Sequence, residues 1–116
     1  MVKCFRLVMA AAALTLPLAA AAHARLMSAS PSAGAILAVA PRALTLDFNE
    51  SVRLAVLKIS QDGQEISVAY DRSASTPHVV VPLPALGTGA YEVRWSALTA
   101  DDGHVVKGSF SFVVRP

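Results

Sequence analysis

Tyr91-Glu92-Val93-Arg94-Trp95-Ser96-Ala97 decides the fold. Successive side chains of a strand point to opposite faces. Tyr91, Val93, Trp95 and Ala97 therefore share one face, while Glu92, Arg94 and Ser96 share the other. The same alternation sets Leu44, Leu46 and Phe48 against Thr45 and Asp47, and Phe110, Phe112 and Val114 against Ser109 and Ser111. These period-2 patterns, rich in β-formers, predict half-buried strands. Val52 to Ile59 is apolar on both parities, which predicts a buried strand or one carrying a bulge. Gln61-Asp62-Gly63-Gln64 is a hairpin signal between that run and a predicted strand from Glu65 to Tyr70. His78 to Leu83 predicts a further short strand, fenced by Pro77, Pro82 and Pro84.

Turn residues punctuate the chain at Pro31 and Gly34, at Pro41, at Asp62-Gly63, from Pro82 to Gly89 and at Asp101-Asp102-Gly103. Strands spaced in this way predict an all-β fold of about seven strands, a β-sandwich or Greek-key barrel. No segment keeps a helical period. Ala33 to Ala40 is apolar but lies between Pro31 and Pro41, and reads as loop or strand.

Residues 1–22 divide into the zones of a secretory signal peptide. Lys3 and Arg6 form the positive zone, Leu7 to Leu18 the apolar run, and Ala20-Ala21-Ala22 the small-residue cleavage pattern. The stretch is too short and Ala-rich for a comfortable membrane span. Cutting after Ala22 makes His23 the first mature residue and leaves one domain over residues 23–116. Ala22-His23-Ala24 also fits the cleavage pattern, and a cut there would start the chain at Arg25. Cys4 precedes the apolar run, so it is not a lipoprotein anchor.

Loss of the leader removes two of ten Lys/Arg and leaves eight against eight Asp/Glu, so the mature domain is close to neutral. No basic stripe remains, which argues against nucleic acid or an anionic membrane as partner. The only Cys is lost as well, excluding a disulfide and a thiolate ligand from the mature chain. No membrane-spanning segment is expected after the domain.

Nucleophilic catalysis has little behind it, since the expected mature chain has neither Cys nor a nucleophile-elbow motif, and the glycines form no phosphate loop. Metal binding is the chemistry left. An N-terminal His23 would offer its α-amine and imidazole Nδ1, which together close a chelate ring. Asp102-Gly103-His104 lies at the tip between two predicted strands, where Gly103 lets the backbone bend two ligands toward one point. Alone, such a triplet is more often a polar hairpin tip. An N-terminal histidine is what gives it a partner.

The chain resembles the CopC/PcoC family of periplasmic copper-resistance proteins in its stand-alone, soluble form. The resemblance rests on His23-Ala24-Arg25-Leu26 with Ser30-Pro31 and Gly34, then on Leu44 through Glu50. It continues in Gly89 through Trp95, Asp102-Gly103-His104 and Gly108 through Phe112. It implies an immunoglobulin-like Greek-key fold and one Cu(II) ion per chain. By position, His23 would supply amine and imidazole nitrogens, His104 a second imidazole and Asp102 a carboxylate oxygen. Three nitrogens and an oxygen suit tetragonal Cu(II), with Zn and Ni behind it. Glu50 is similar in place to a family acid near the metal and is expected to support the ligands. Trp95 is expected close by, although core packing alone explains it equally well.

Some relatives carry a Met-rich Cu(I) site. Here only Met27 follows the leader, and it is read as a packing residue. His78 reads as a single exposed histidine. The resemblance implies a periplasmic protein that buffers, sequesters or transfers copper without catalysis. Its partner would be a separate inner-membrane transporter or another periplasmic copper protein. Two other readings are a histidine-brace copper monooxygenase, which the small size and short loops oppose, and an immunoglobulin-like interaction module without metal.

Overall fold

The computed structural model describes residues 24–116, all of them in strands, turns and loops. The leader assigned to residues 1–22, and His23 itself, lie outside the described residues. Seven strands follow in order: β1 (Leu26–Ser30), β2 (Ala35–Leu37), β3 (Ala43–Gln61), β4 (Gln64–Ile66), β5 (Thr76–Pro82), β6 (Gly89–Thr99) and β7 (Val105–Val114). Among the described residues, no helix is long and apolar enough to cross a membrane.

One long strand organises the molecule. The first half of β3 lies between β1 and β5, with Ser28 opposite Asp47 and Asp47 opposite His78. Its second half pairs with β6 from Val52 to Ser60, and β6 pairs with β7 along its whole length. β2 then adds to β7 in parallel. A single seven-stranded sheet thus curls over at β3 into two facing layers. The β3–β4 and β6–β7 connections are hairpins within one layer, while the other connections cross between layers, as in Greek-key sandwiches.

The predicted alternation carries the core. Leu44, Leu46 and Phe48 point inward from β3, and Tyr91, Val93, Trp95 and Ala97 from β6, joined by Phe112 and Val114 of β7. Phe48 meets Trp95 edge-on with ring centroids 5.2 Å apart, and Tyr91 stacks on Phe112 at 5.3 Å. Such aromatic pairs contribute about 0.5–1.5 kcal/mol beyond the area they bury.

Between the two readings of Val52 to Ile59, the structure has the bulge. The register shifts between Leu54 and Val56, so the buried set changes from Val52 and Leu54 to Leu57 and Ile59. An extra residue reverses which parity faces inward, and that is why both parities are apolar. Asp62 and Gly63 both have positive φ, 50° and 79°, as the hairpin turn between β3 and β4 demands. The strand predicted from Glu65 to Tyr70 stops at Ile66. Val68 and Tyr70 keep the apolar spacing but pack against the core without entering a ladder. Ala33 to Ala40 contains the three residues of β2.

Candidate metal centre

The turn from Ala100 to His104 closes the β6–β7 hairpin at one end of the sandwich. Gly103 N–H donates to Thr99 O at 3.1 Å, and Thr99 N–H donates to His104 O at 2.9 Å. Gly103 has φ +71°, the left-handed region that glycine enters without a Cβ penalty. The bend expected of Gly103 is therefore present.

That bend brings Asp102 and His104 together. His104 Nδ1 lies 2.9 Å from Asp102 Oδ2, and the backbone N–H of His104 donates to Asp102 Oδ1 at 3.2 Å. Thr99, the buried polar residue at the end of β6, fixes the pair from beneath. Its hydroxyl donates to Asp102 Oδ1 at 2.5 Å and accepts from His104 N–H at 3.0 Å. The Thr99 hydroxyl, the His104 backbone N–H and the His104 ring together hold the Asp102 carboxyl down to about 2. Asp102 is therefore a carboxylate at any physiological pH. Both side chains remain more than half exposed, 55% for Asp102 and 58% for His104.

The segment that follows His23 is tied to the same end of the molecule. Arg25 N–H donates to Asn49 Oδ1 at 2.6 Å, and Asn49 N–H donates to Arg25 O at 3.1 Å. Ala24 is buried in the core. Two residues beyond Asn49, Ser51 O accepts from Ala100 N–H at 3.1 Å, at the start of the Asp102–His104 turn. Glu50 stands between these two anchors, half-buried on β3. Among the described residues, no three His, Cys, Asp or Glu side chains stand close enough to hold an ion. Of the expected ligands, the described residues bring together Asp102 and His104.

Of the two readings of Trp95, the structure has the core one, four residues up β6 from Thr99, about 13 Å at 3.3 Å per residue. Two other sequence readings change. Met27 is 60% exposed and not a packing residue, because the register shift in β1 between Leu26 and Ser28 turns it outward. His78 is exposed but not single, since its Nδ1 contacts Asp47 Oδ1, and Asp47 Oδ2 accepts from the Ser28 hydroxyl at 3.3 Å. Sequence spacing had no access to this trio, which depends on the register of three strands.

A curled seven-stranded β-sandwich bearing a histidine–carboxylate pair on an end hairpin defines a small all-β protein with metal-ligand chemistry at its rim. Residues 26–115 match the CopC domain, and the chain belongs to that family of copper-resistance proteins. It is 34% identical over 100 residues to Protein YobA of Escherichia coli K12, covering 81% of this chain and 80% of that protein. Among solved structures it resembles CopC from Methylosinus trichosporium OB3b, with 30% identity and a TM-score of 0.68 over 81% of this chain and 95% of that one. It also resembles PcoC, a methionine-rich copper resistance protein from Escherichia coli. That match has 26% identity and a TM-score of 0.66, over 81% of this chain and 100% of the other. The family places this chain in copper handling. The matched segment begins at Leu26, three residues after His23.

Proposed function

We propose that residues 23–116 form the mature protein and that it binds one Cu(II) ion in the periplasm, buffering, sequestering or passing it on without catalysis. The ligands are the α-amine and Nδ1 of His23, the imidazole of His104 and the carboxylate of Asp102. The observation that carries this reading is the 2.9 Å separation of His104 Nδ1 and Asp102 Oδ2. First-row metal bonds to N and O run about 2.0–2.2 Å. Neighbouring donors of a tetragonal site then stand about 2.8–3.1 Å apart. An ion can take the place of the proton the two atoms share, with little movement of the turn.

Thr99 supports the reading by keeping Asp102 ionised and the turn bent, so the pair is formed before the ion arrives. The bonds between Arg25 and Asn49 support it from the other side, because they hold the segment after His23 to the strand that also anchors the turn. Three neutral nitrogens and one carboxylate leave the loaded site at a charge of about +1. Glu50, half-buried between the two anchors, would offset that charge without binding the ion. Any transporter or acceptor that exchanges copper with this domain is a separate chain.

Mass spectrometry of the secreted protein, with and without one equivalent of Cu(II), tests the start of the chain and the stoichiometry together. The expected result is a chain starting at His23 that gains one copper. A chain starting at Arg25 overturns the proposal. Adding one residue before His23 converts the ligating amine to an amide, and affinity should then fall at least a hundredfold, about 2.7 kcal/mol.

A further inference from the structure

On the outer face of the other layer, three adjacent strands line up three donor side chains. Ser28 of β1 is opposite Asp47 of β3, and Asp47 is opposite His78 of β5. Directly opposed residues project from the same face of a sheet with Cβ atoms about 4.5–5.5 Å apart. Asp47 uses both oxygens: Oδ1 meets His78 Nδ1, and Oδ2 accepts from the Ser28 hydroxyl. The row is open to solvent, with His78 62% and Asp47 40% exposed.

Ser28, Asp47 and His78 are the residue types of a hydrolytic triad, but the connectivity is wrong for one. In a triad the imidazole takes the proton of the serine. Here the hydroxyl points to the carboxylate and the imidazole does too, so no base faces the serine. What the row offers is one imidazole nitrogen, one carboxylate and one hydroxyl converging on a rigid sheet. Solvent access on the open side leaves room for water to complete a coordination shell.

We propose that Asp47 and His78, with Ser28 beside them, form a second, weaker binding site for Cu(II), separate from the His23 centre. One imidazole and one carboxylate suit the borderline divalent ions, and Cu(II) leads that series in affinity. With fewer nitrogen donors and no chelate ring, this site fills only after the first. It gives the protein a place to hold an arriving or departing ion on the face beside its N-terminal strand.

The test is a calorimetric titration of the chain starting at His23 with copper(II) chloride, followed by electron paramagnetic resonance at one and three equivalents. Two binding steps are expected, the second at least tenfold weaker and carrying the signature of a single nitrogen ligand. H78A should abolish the second step and leave the first within twofold, and D47N should weaken the second at least fivefold. H104A should do the reverse, removing the first step and keeping the second. Binding that saturates at one equivalent, or a second step that survives H78A, overturns this proposal while leaving the His23 centre standing. Loss of the first step alone in the unaltered chain would count against the His23 centre only.

Discussion

At the tip of the β6–β7 hairpin, one buried hydroxyl does the work of two hydrogen bonds. Thr99 Oγ1 is both donor to Asp102 and acceptor from His104 N–H, at the buried end of β6. Replacing it with valine keeps the shape and removes both bonds. T99V should destabilise the fold by about 1–2 kcal/mol, read by urea denaturation. It should also let the Asp102 carboxyl rise from about 2 toward its ordinary 3.8, read by carboxyl-carbon NMR across the acid range. The sign follows from linkage. A carboxyl lowered in the folded state contributes stability that is full above its unfolded value near 3.8 and is lost as pH falls through about 2. T99V should therefore flatten the fall in stability below pH 4. An unchanged Asp102 titration would show that Thr99 does not set the carboxylate. The Asp102-Gly103-His104 triplet was readable in the sequence because glycine marks a bend between two ligand types. Thr99 was not, since nothing in its spacing distinguishes a clamping hydroxyl from an ordinary β-branched strand residue.

At the scale of elements, the most legible strands were those with one wet face. β6 and β7 alternate strictly, so periodicity alone exposed both. The long β3 was legible only in pieces: its clean first half, then a stretch apolar on both parities that the bulge at Ala55 explains. β4 was overestimated because Val68 and Tyr70 satisfy the hydrophobic pattern of a strand while serving as side packing. Pattern reports which side chains are buried, and only hydrogen-bond partners decide whether the backbone is in a sheet. Partnering between strands brings its own constraint at Gly108, which lies opposite Trp95. A Cβ at Gly108 would come within 2.9 Å of Trp95 Cζ2. The indole, packed edge-on against Phe48, would have to shift to admit it. G108A should cost about 1–3 kcal/mol through overpacking and shift the tryptophan emission. A variant with unaltered stability and spectrum would mean that the ring has more freedom than its contacts indicate.

Across the whole molecule, the proposed metal centre lies where three parts of the chain that are remote in sequence are tied together. Arg25, close behind His23, is bonded to Asn49; Ser51 is bonded to Ala100; and Thr99 clamps Asp102 and His104. Family likeness implied a ligand set drawn from His23, Asp102 and His104, but no periodicity in the chain could reveal these ties, because they depend on β3 passing from one layer to the other. Bound as proposed, copper would be a brace between the chain terminus and the last hairpin. An ion that binds only the folded form stabilises it by mass action, about 2.7 kcal/mol at a free concentration one hundred times the dissociation constant. For a domain of under about 100 residues, each kcal/mol moves the midpoint by roughly 4–8 °C. Scanning calorimetry of the chain starting at His23 should show a Tm rise of about 10–20 °C when free Cu(II) is buffered at that level. Chelation with EDTA should reverse it, and the chain with one residue added before His23 should show at most a small part of the rise. Equal rises in both chains would place the stabilising ion elsewhere, and no rise in either would remove copper as a brace between terminus and hairpin.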